Sequence, residues 1–129
     1  MAELKLKKIN KPNKGDVEAD IGWFCDSLGL CSGRDTELTS NKILVDILNK
    51  IAEHEKVFSE SVAKDLHITQ GLVNHHLRNL IKSGVFVREK KQIIIRGGSL
   101  KEAVKEMRRD AMLVFENIES IAEEIDEEL

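Results

Sequence analysis

This chain has little to build a covalent or metal-centred scaffold from. Its 129 residues hold two cysteines, one proline, one tryptophan and no tyrosine. Two cysteines are too few for a disulfide framework. Cys25 and Cys31 stand six apart, not at the CxxC or CxC spacing that suits metal binding or dithiol exchange. Both fall on the apolar stripe of one expected helix, so packing is their expected role and thiol sensing of a metal or an oxidant is the alternative. No apolar run approaches the roughly 20 residues that span a bilayer; Ile93-Ile94-Ile95 stops at three. The N-terminus has lysines but no apolar core, so it is not a secretory signal. The expected setting is the cytoplasm, with no membrane partner. Phosphate-binding GxxxxGK[ST], the GxSxG elbow and HExxH are all missing. No catalytic residue, metal or cofactor is expected, and the chain does not read as an enzyme.

An overall excess of positive charge is also lacking. The formal net is −3, which by itself argues against a nucleic-acid partner. The distribution reverses that inference. Residues 59–98 carry seven cations (Lys64, Arg78, Lys82, Arg88, Lys90, Lys91, Arg96) against three acids (Glu60, Asp65, Glu89), a net of +4. Residues 99–129 carry four cations against ten acids, a net of −6. Neutralised phosphates release counterions, so the middle segment can lie along a nucleic acid and the acidic tail cannot.

What is present divides into three parts. Residues 1–16, with Lys5, Lys7, Lys8, Lys11, Lys14, Pro12 and a Gly15-Asp16 turn signal, read as a flexible basic arm. Such an arm sometimes follows a minor groove, although a solvated segment is the simpler reading. Residues 17–98 read as one domain that starts with an accessory helix over 17–31. There Ile21, Phe24, Cys25, Leu28 and Cys31 form a stripe with Trp23 beside it. Thr39 or Ser40 can cap a second helix, whose core stripe is Ile43, Leu44, Ile47, Leu48 and Ile51. His54-Glu55-Lys56 ends it, and Val57-Phe58 is a short extended piece expected to pair with a later hairpin.

The densest signal lies in residues 57–96, VFSESVAKDLHITQGLVNHHLRNLIKSGVFVREKKQIIIR. Ser59 is expected to cap a helix to about Leu66 that buries Val62, Ala63 and Leu66. His67-Ile68 makes a tight turn, and Thr69 caps the next helix. In that helix Val73, His76, Leu77, Leu80 and Ile81 repeat at core spacing, and Gly84 closes it in a left-handed conformation. Val85 to Arg88, a Glu89-Lys90-Lys91 turn and Gln92 to Arg96 make a β-branched hairpin with a basic tip. Helix, turn, helix and wing in that order predict a mainly α fold with a small β-hairpin, a winged helix-turn-helix.

Residues 99–129 read as a third part. Gly97-Gly98 is a hinge, and Ser99-Leu100-Lys101-Glu102 is a capping box. A helix of about 30 residues, roughly 45 Å, follows. Leu100, Val104, Met107, Ala111, Val114, Ile118, Ile121 and Ile125 step by four and three along it, a heptad seam. A small domain cannot hide such a stripe, so a partner helix is expected and these eight are the candidate dimerisation residues.

On the second helix of the motif the outward face presents Gln70, Gly71, Asn74, His75 and Arg78. Gln and Asn suit adenine and Arg suits guanine, each good bidentate pair worth roughly 1–3 kcal/mol of discrimination. Gln70, Asn74, His75 and Arg78 are therefore the candidate base contacts. Lys64, Thr69, Arg88, Lys90 and Lys91 are the candidate phosphate contacts. Against this stands a plain solvated helix face. Gly71 can permit close backbone approach, and Leu72 can touch a thymine methyl or pack. His75 and His76 point about 100° apart, so His76 is expected in the core and His75 outside, and they do not suit one shared metal.

At ITQGLVNHHLRNLIKSGVFVRE, residues 68–89, the chain resembles the ArsR-like winged-helix regulators, whose motif helix ends in His-Leu before a Leu-rich turn. The wider run from Gly33-Arg34-Asp35 through Arg96-Gly97-Gly98-Ser99 to the acidic last helix resembles archaeal members of that group. The resemblance covers about half of the chain. It implies a homodimer that binds double-stranded operator DNA and alters transcription. No ArsR-type cysteine pair lies in or before the motif helix, so the effector stays open. The rival expectation is a winged-helix adaptor that binds a foreign helix through the seam.

Overall fold

The computed structural model describes residues 5–9, 11, 16–30 and 39–129. Its elements run α1 (Val17–Ser27), α2 (Thr39–Ala52), β1 (Val57–Phe58), α3 (Ser59–Leu66), α4 (Gln70–Ser83), β2 (Phe86–Glu89), β3 (Gln92–Ile95) and α5 (Leu100–Glu128). The fold is mainly helical with a small antiparallel sheet and a long last helix, the winged helix-turn-helix class expected from sequence.

The helices form where apolar residues recur at i, i+3 and i+4 and end where a cap or a left-handed residue interrupts them. Asp16 caps α1 by accepting from Ala19 N–H at 2.7 Å. α1 is shorter than expected. It closes at Ser27, because Leu28 leaves helical geometry and Gly29 turns left-handed. Cys25 is fully buried on α1, whereas Cys31 lies outside the described residues. Residues 1–4, 10 and 12–15 of the expected arm also lie outside them. In the described part, Lys7 N–H donates to Ser27 O at 2.9 Å, which ties this stretch to the end of α1.

In α2, Ile43, Leu44 and Ile47 are fully buried, while Leu48 and Ile51 pack at the core's edge. Ser40 is not a cap. It lies inside α2, buried, with its hydroxyl 2.8 Å from His76 Nδ1. That bond gives His76 the polar partner that a buried imidazole requires. Ser59 does not cap α3 either; Phe58 holds the cap position, and Ser61 Oγ accepts from Phe58 N–H at 3.3 Å.

The core joins α2, α3 and α4 to the sheet through Val62, Val73, Leu77, Leu80, Val85 and Phe86, each almost wholly buried. Truncating any one of the larger side chains to alanine costs about 2–5 kcal/mol in such surroundings. Strand order is β1-β3-β2, with Val57 opposite Ile93 and Phe86 opposite Ile95. The period-two pattern puts Val57, Phe86, Ile93 and Ile95 inward. The expected third strand is therefore present.

The hairpin turn is tighter than expected. Glu89 pairs with Gln92, so only Lys90 and Lys91 form the loop, at φ 47° and 74°. Two positive φ values match the twist of the flanking strands, which is why two-residue hairpins favour that turn.

Beyond β3 the chain makes one 3-10 turn, Arg96–Gly98, and enters α5. A Cβ on Gly97 (φ 73°) would stand 2.9 Å from Glu102 Cβ, so the turn needs glycine there to let α5 approach. Ser99 caps α5 by accepting from Glu102 N–H at 3.1 Å. Ala103 and Met107 are buried against the domain. Arg96 holds the same region, with Nε 2.9 Å from Glu106 and Nη2 2.6 Å from Asp110.

Candidate nucleic-acid interface

The motif begins at the α3–α4 turn. His67 adopts a left-handed conformation at the end of α3, and its N–H bonds back to Lys64 O. The chain then re-enters helix at Gln70, where Thr69 Oγ1 accepts from Leu72 N–H at 3.1 Å. The capped hydroxyl keeps its own proton, so Thr69 can still donate to a phosphate oxygen. Gly84 at φ 95° ends α4 and directs the chain into the sheet. Any residue with a Cβ would be strained at that angle.

Between those ends α4 has two faces. Val73, His76, Leu77 and Leu80 are buried, as the helical period requires. Gln70, Gly71, His75 and Arg78 are exposed, with Leu72 38 % exposed beside them. A Cβ on Gly71 would meet nothing nearer than 4.0 Å, so nothing inside the molecule calls for glycine there and the backbone stays open to an outside partner. The His75 and His76 rings meet edge-on with centroids 5.3 Å apart, one outside and one inside.

Asn74 is placed differently from its neighbours. It is half-buried, and its Oδ1 accepts from Ser59 Oγ at 2.7 Å and from Arg88 Nη2 at 3.1 Å. Arg88 Nη2 also donates to Ser59 Oγ at 3.0 Å. A triangle of side chains from α3, α4 and β2 thus connects the wing to the motif. Nothing in the sequence singles out Ser59 as part of the site. Its two partners lie 15 and 29 residues away, and no local pattern signals a contact at those separations.

Lys64, Arg88, Lys90 and Lys91 are exposed. Lys90 and Lys91 stand at the tip of the hairpin, with Lys56 and Phe58 of the preceding segment beside Lys90. Arg96, by contrast, is spent on Glu106 and Asp110 and does not add to an outward-facing positive patch. Of the seven cations in residues 59–98, six remain once Arg96 is set aside.

The seam residues fall into two groups. Leu100 and Met107 turn toward the domain, and Val104 is 38 % exposed. Farther along, Ile118, Ile121 and Ile125 are 55, 55 and 51 % exposed, with Phe115 at 61 % beside them. Ala111 and Val114 lie half-buried between the two groups. Phe115 is an apolar residue that the strict heptad count left out.

A groove of about 640 Å³ runs between α1 and α2, with Ile21 and Val45 in its wall and Asp46 at its edge. It contains none of the α4 polar face. Among the described residues, no three His, Cys, Asp or Glu side chains converge as a metal would need, and no helix is long and apolar enough to cross a membrane.

Residues 42–85 match the family model described as Bacterial regulatory protein, arsR family. The match runs from the first turn of α2 to the residue after Gly84, so it takes in α3, the turn and all of α4. No curated protein and no solved structure matches the chain. Residues 42–85 form an arsR-family helix-turn-helix domain, carried here within a winged helix-turn-helix fold.

Proposed function

We propose that this protein is a sequence-specific regulator of transcription that binds double-stranded DNA as a homodimer. The arsR-family domain supports a DNA-binding transcription regulator and suggests one without enzymatic activity. One observation carries the finer reading. An exposed polar face on α4, with Gln70, His75 and Arg78, sits on the same domain as a two-lysine wing tip. In that arrangement the helix enters a major groove while the wing lies along the backbone. Gln70, Asn74, His75 and Arg78 contact bases; Lys64, Thr69, Lys90 and Lys91 hold phosphates. Arg88 keeps two guanidinium nitrogens besides Nη2, and these can reach a phosphate as well.

The dimer rests on α5. Ile118, Ile121, Ile125 and Phe115 are half or more exposed, and a helix with such a stripe gains by burying it on a like helix. Two copies related by a two-fold axis would set their α4 helices one DNA turn apart, about 34 Å. The same stripe would also suit a foreign helix, and in that case the protein is an adaptor. Light scattering separates the two, since a dimer has twice the 14.6 kDa of one chain.

The test is selection of bound duplexes from a random pool. A two-fold-symmetric consensus is expected. Arg78→Ala is expected to relax one base position by about tenfold, because one bidentate contact is lost. Recovery of no consensus by a folded dimer rules the DNA reading out.

A further inference from the structure

The hydrogen bonds around Asn74 restrict what it can read. A free asparagine recognises adenine with both ends of its amide, the oxygen accepting from N6 and the nitrogen donating to N7. Here the oxygen is occupied. A guanidinium has only donors, so the Asn74 atom 3.1 Å from Arg88 Nη2 has to be Oδ1. Ser59 Oγ, 2.7 Å away, occupies its second lone pair. Ser59 is itself held by Arg88 at 3.0 Å, which closes the triangle and opposes rotation of the amide. Among the described residues Nδ2 has no partner. Asn74 therefore offers an outside partner two N–H donors and no acceptor.

We propose that Ser59 and Arg88 are positioning residues that make Asn74 a donor-only reader of the major groove. A donor-only amide selects a base edge rich in acceptors. Guanine, with N7 and O6 side by side, fits best. Thymine offers O4 alone, and adenine loses the advantage that a two-ended contact would give it. Cytosine presents an N4 donor and is rejected. The wing thereby contributes to specificity without touching a base, through the arginine at the base of its tip. This inference rests on the DNA-binding reading above.

Duplex selection is repeated with three proteins, each first shown folded by circular dichroism and thermal melting. The unaltered chain is expected to enrich guanine over adenine by about tenfold at one position of each half-site. Asn74→Asp keeps the acceptor that Ser59 and Arg88 need but replaces the donor with a second acceptor. Its preference at that position alone is expected to move to cytosine by a similar factor. The double variant S59A/R88M releases Oδ1, and adenine is expected to rise there. If S59A/R88M does not fold, N74D decides alone. Adenine at the N74D-sensitive position of the unaltered chain overturns the proposal. So does a consensus that N74D leaves unchanged, for Asn74 is then only a tie between α3, α4 and the wing. A folded, unaltered chain that enriches no sequence removes the DNA-binding reading itself, and this proposal with it.

Discussion

Asp46 on α2 and Asp65 on α3 share one cation, Lys50, which bonds Asp65 directly and stands 3.8 Å from Glu55. Burial, and then the neighbouring Asp65 carboxylate, push the Asp46 carboxyl above its ordinary range. The hydrogen bond from Lys50 holds Asp65 below that range. The two groups act in opposite directions on stability. Asp65 stabilises the fold above the ordinary carboxylate value, and this is lost as pH falls through its lowered one. Asp46 opposes folding once it is ionised. Asp46→Asn, which keeps the shape and removes the charge, is therefore expected to stabilise the protein at pH 7. The gain should be below about 1 kcal/mol, because Asp46 is only partly buried and the neighbouring Asp65 and Glu55 carboxylates are open to screening by water. It should vanish below about pH 3, where the carboxyl is protonated in both states. Urea unfolding at the two pH values measures it, and a loss of stability at pH 7 contradicts this account of the cluster.

At the scale of elements, the wing tip departs from what local chemistry favours. A two-residue hairpin loop with two positive φ values is ordinarily Asn-Gly or Asp-Gly, yet this chain has Lys90-Lys91 at 47° and 74°. Left-handed lysines cost roughly 1–2 kcal/mol each. The cost is understandable if the two charges work outside the fold, along a phosphate backbone. Lys90→Asn with Lys91→Gly is therefore expected to raise stability by about 1–2 kcal/mol while weakening DNA binding. All sequences should weaken alike, and the dependence of log K on log salt should flatten by about two. Unchanged salt dependence would mean that the tip does not touch DNA. The tightness of this turn was hidden from sequence, because a lysine pair does not announce a two-residue loop. The caps at Thr69, Gly84 and Ser99 were legible, since each depends on residues within a few positions.

At the scale of the molecule, the first turns of α5 belong to the domain and the later ones do not. Ala103 and Met107 are buried, whereas Ile118 and Ile121 are each 55 % exposed. Ile118→Asp with Ile121→Asp is expected to halve the mass measured by light scattering. DNA affinity should fall by at least about a hundredfold, since two linked half-sites become two independent weak ones. The melting of the domain core should change little, as neither residue belongs to it. A dimer that survives both substitutions would place self-association elsewhere.

Periodicity and capping depend on neighbours three or four residues apart, and on those the sequence alone determined the order of helices, the wing, the buried face of α4 and the long final helix. The resemblance at residues 68–89 pointed to the same domain that the family match covers. Side-chain partnerships across elements were decided only by the tertiary structure. It placed Ser59 and Arg88 on Asn74, Ser40 on His76, and Arg96 on Glu106 and Asp110. The physical reason is range. A hydrogen bond or ion pair between residues 10 to 36 apart leaves no periodic trace in the chain, and it forms only after the core has brought their elements together. It is also what turned a row of polar side chains on α4 into groups with defined donors and acceptors.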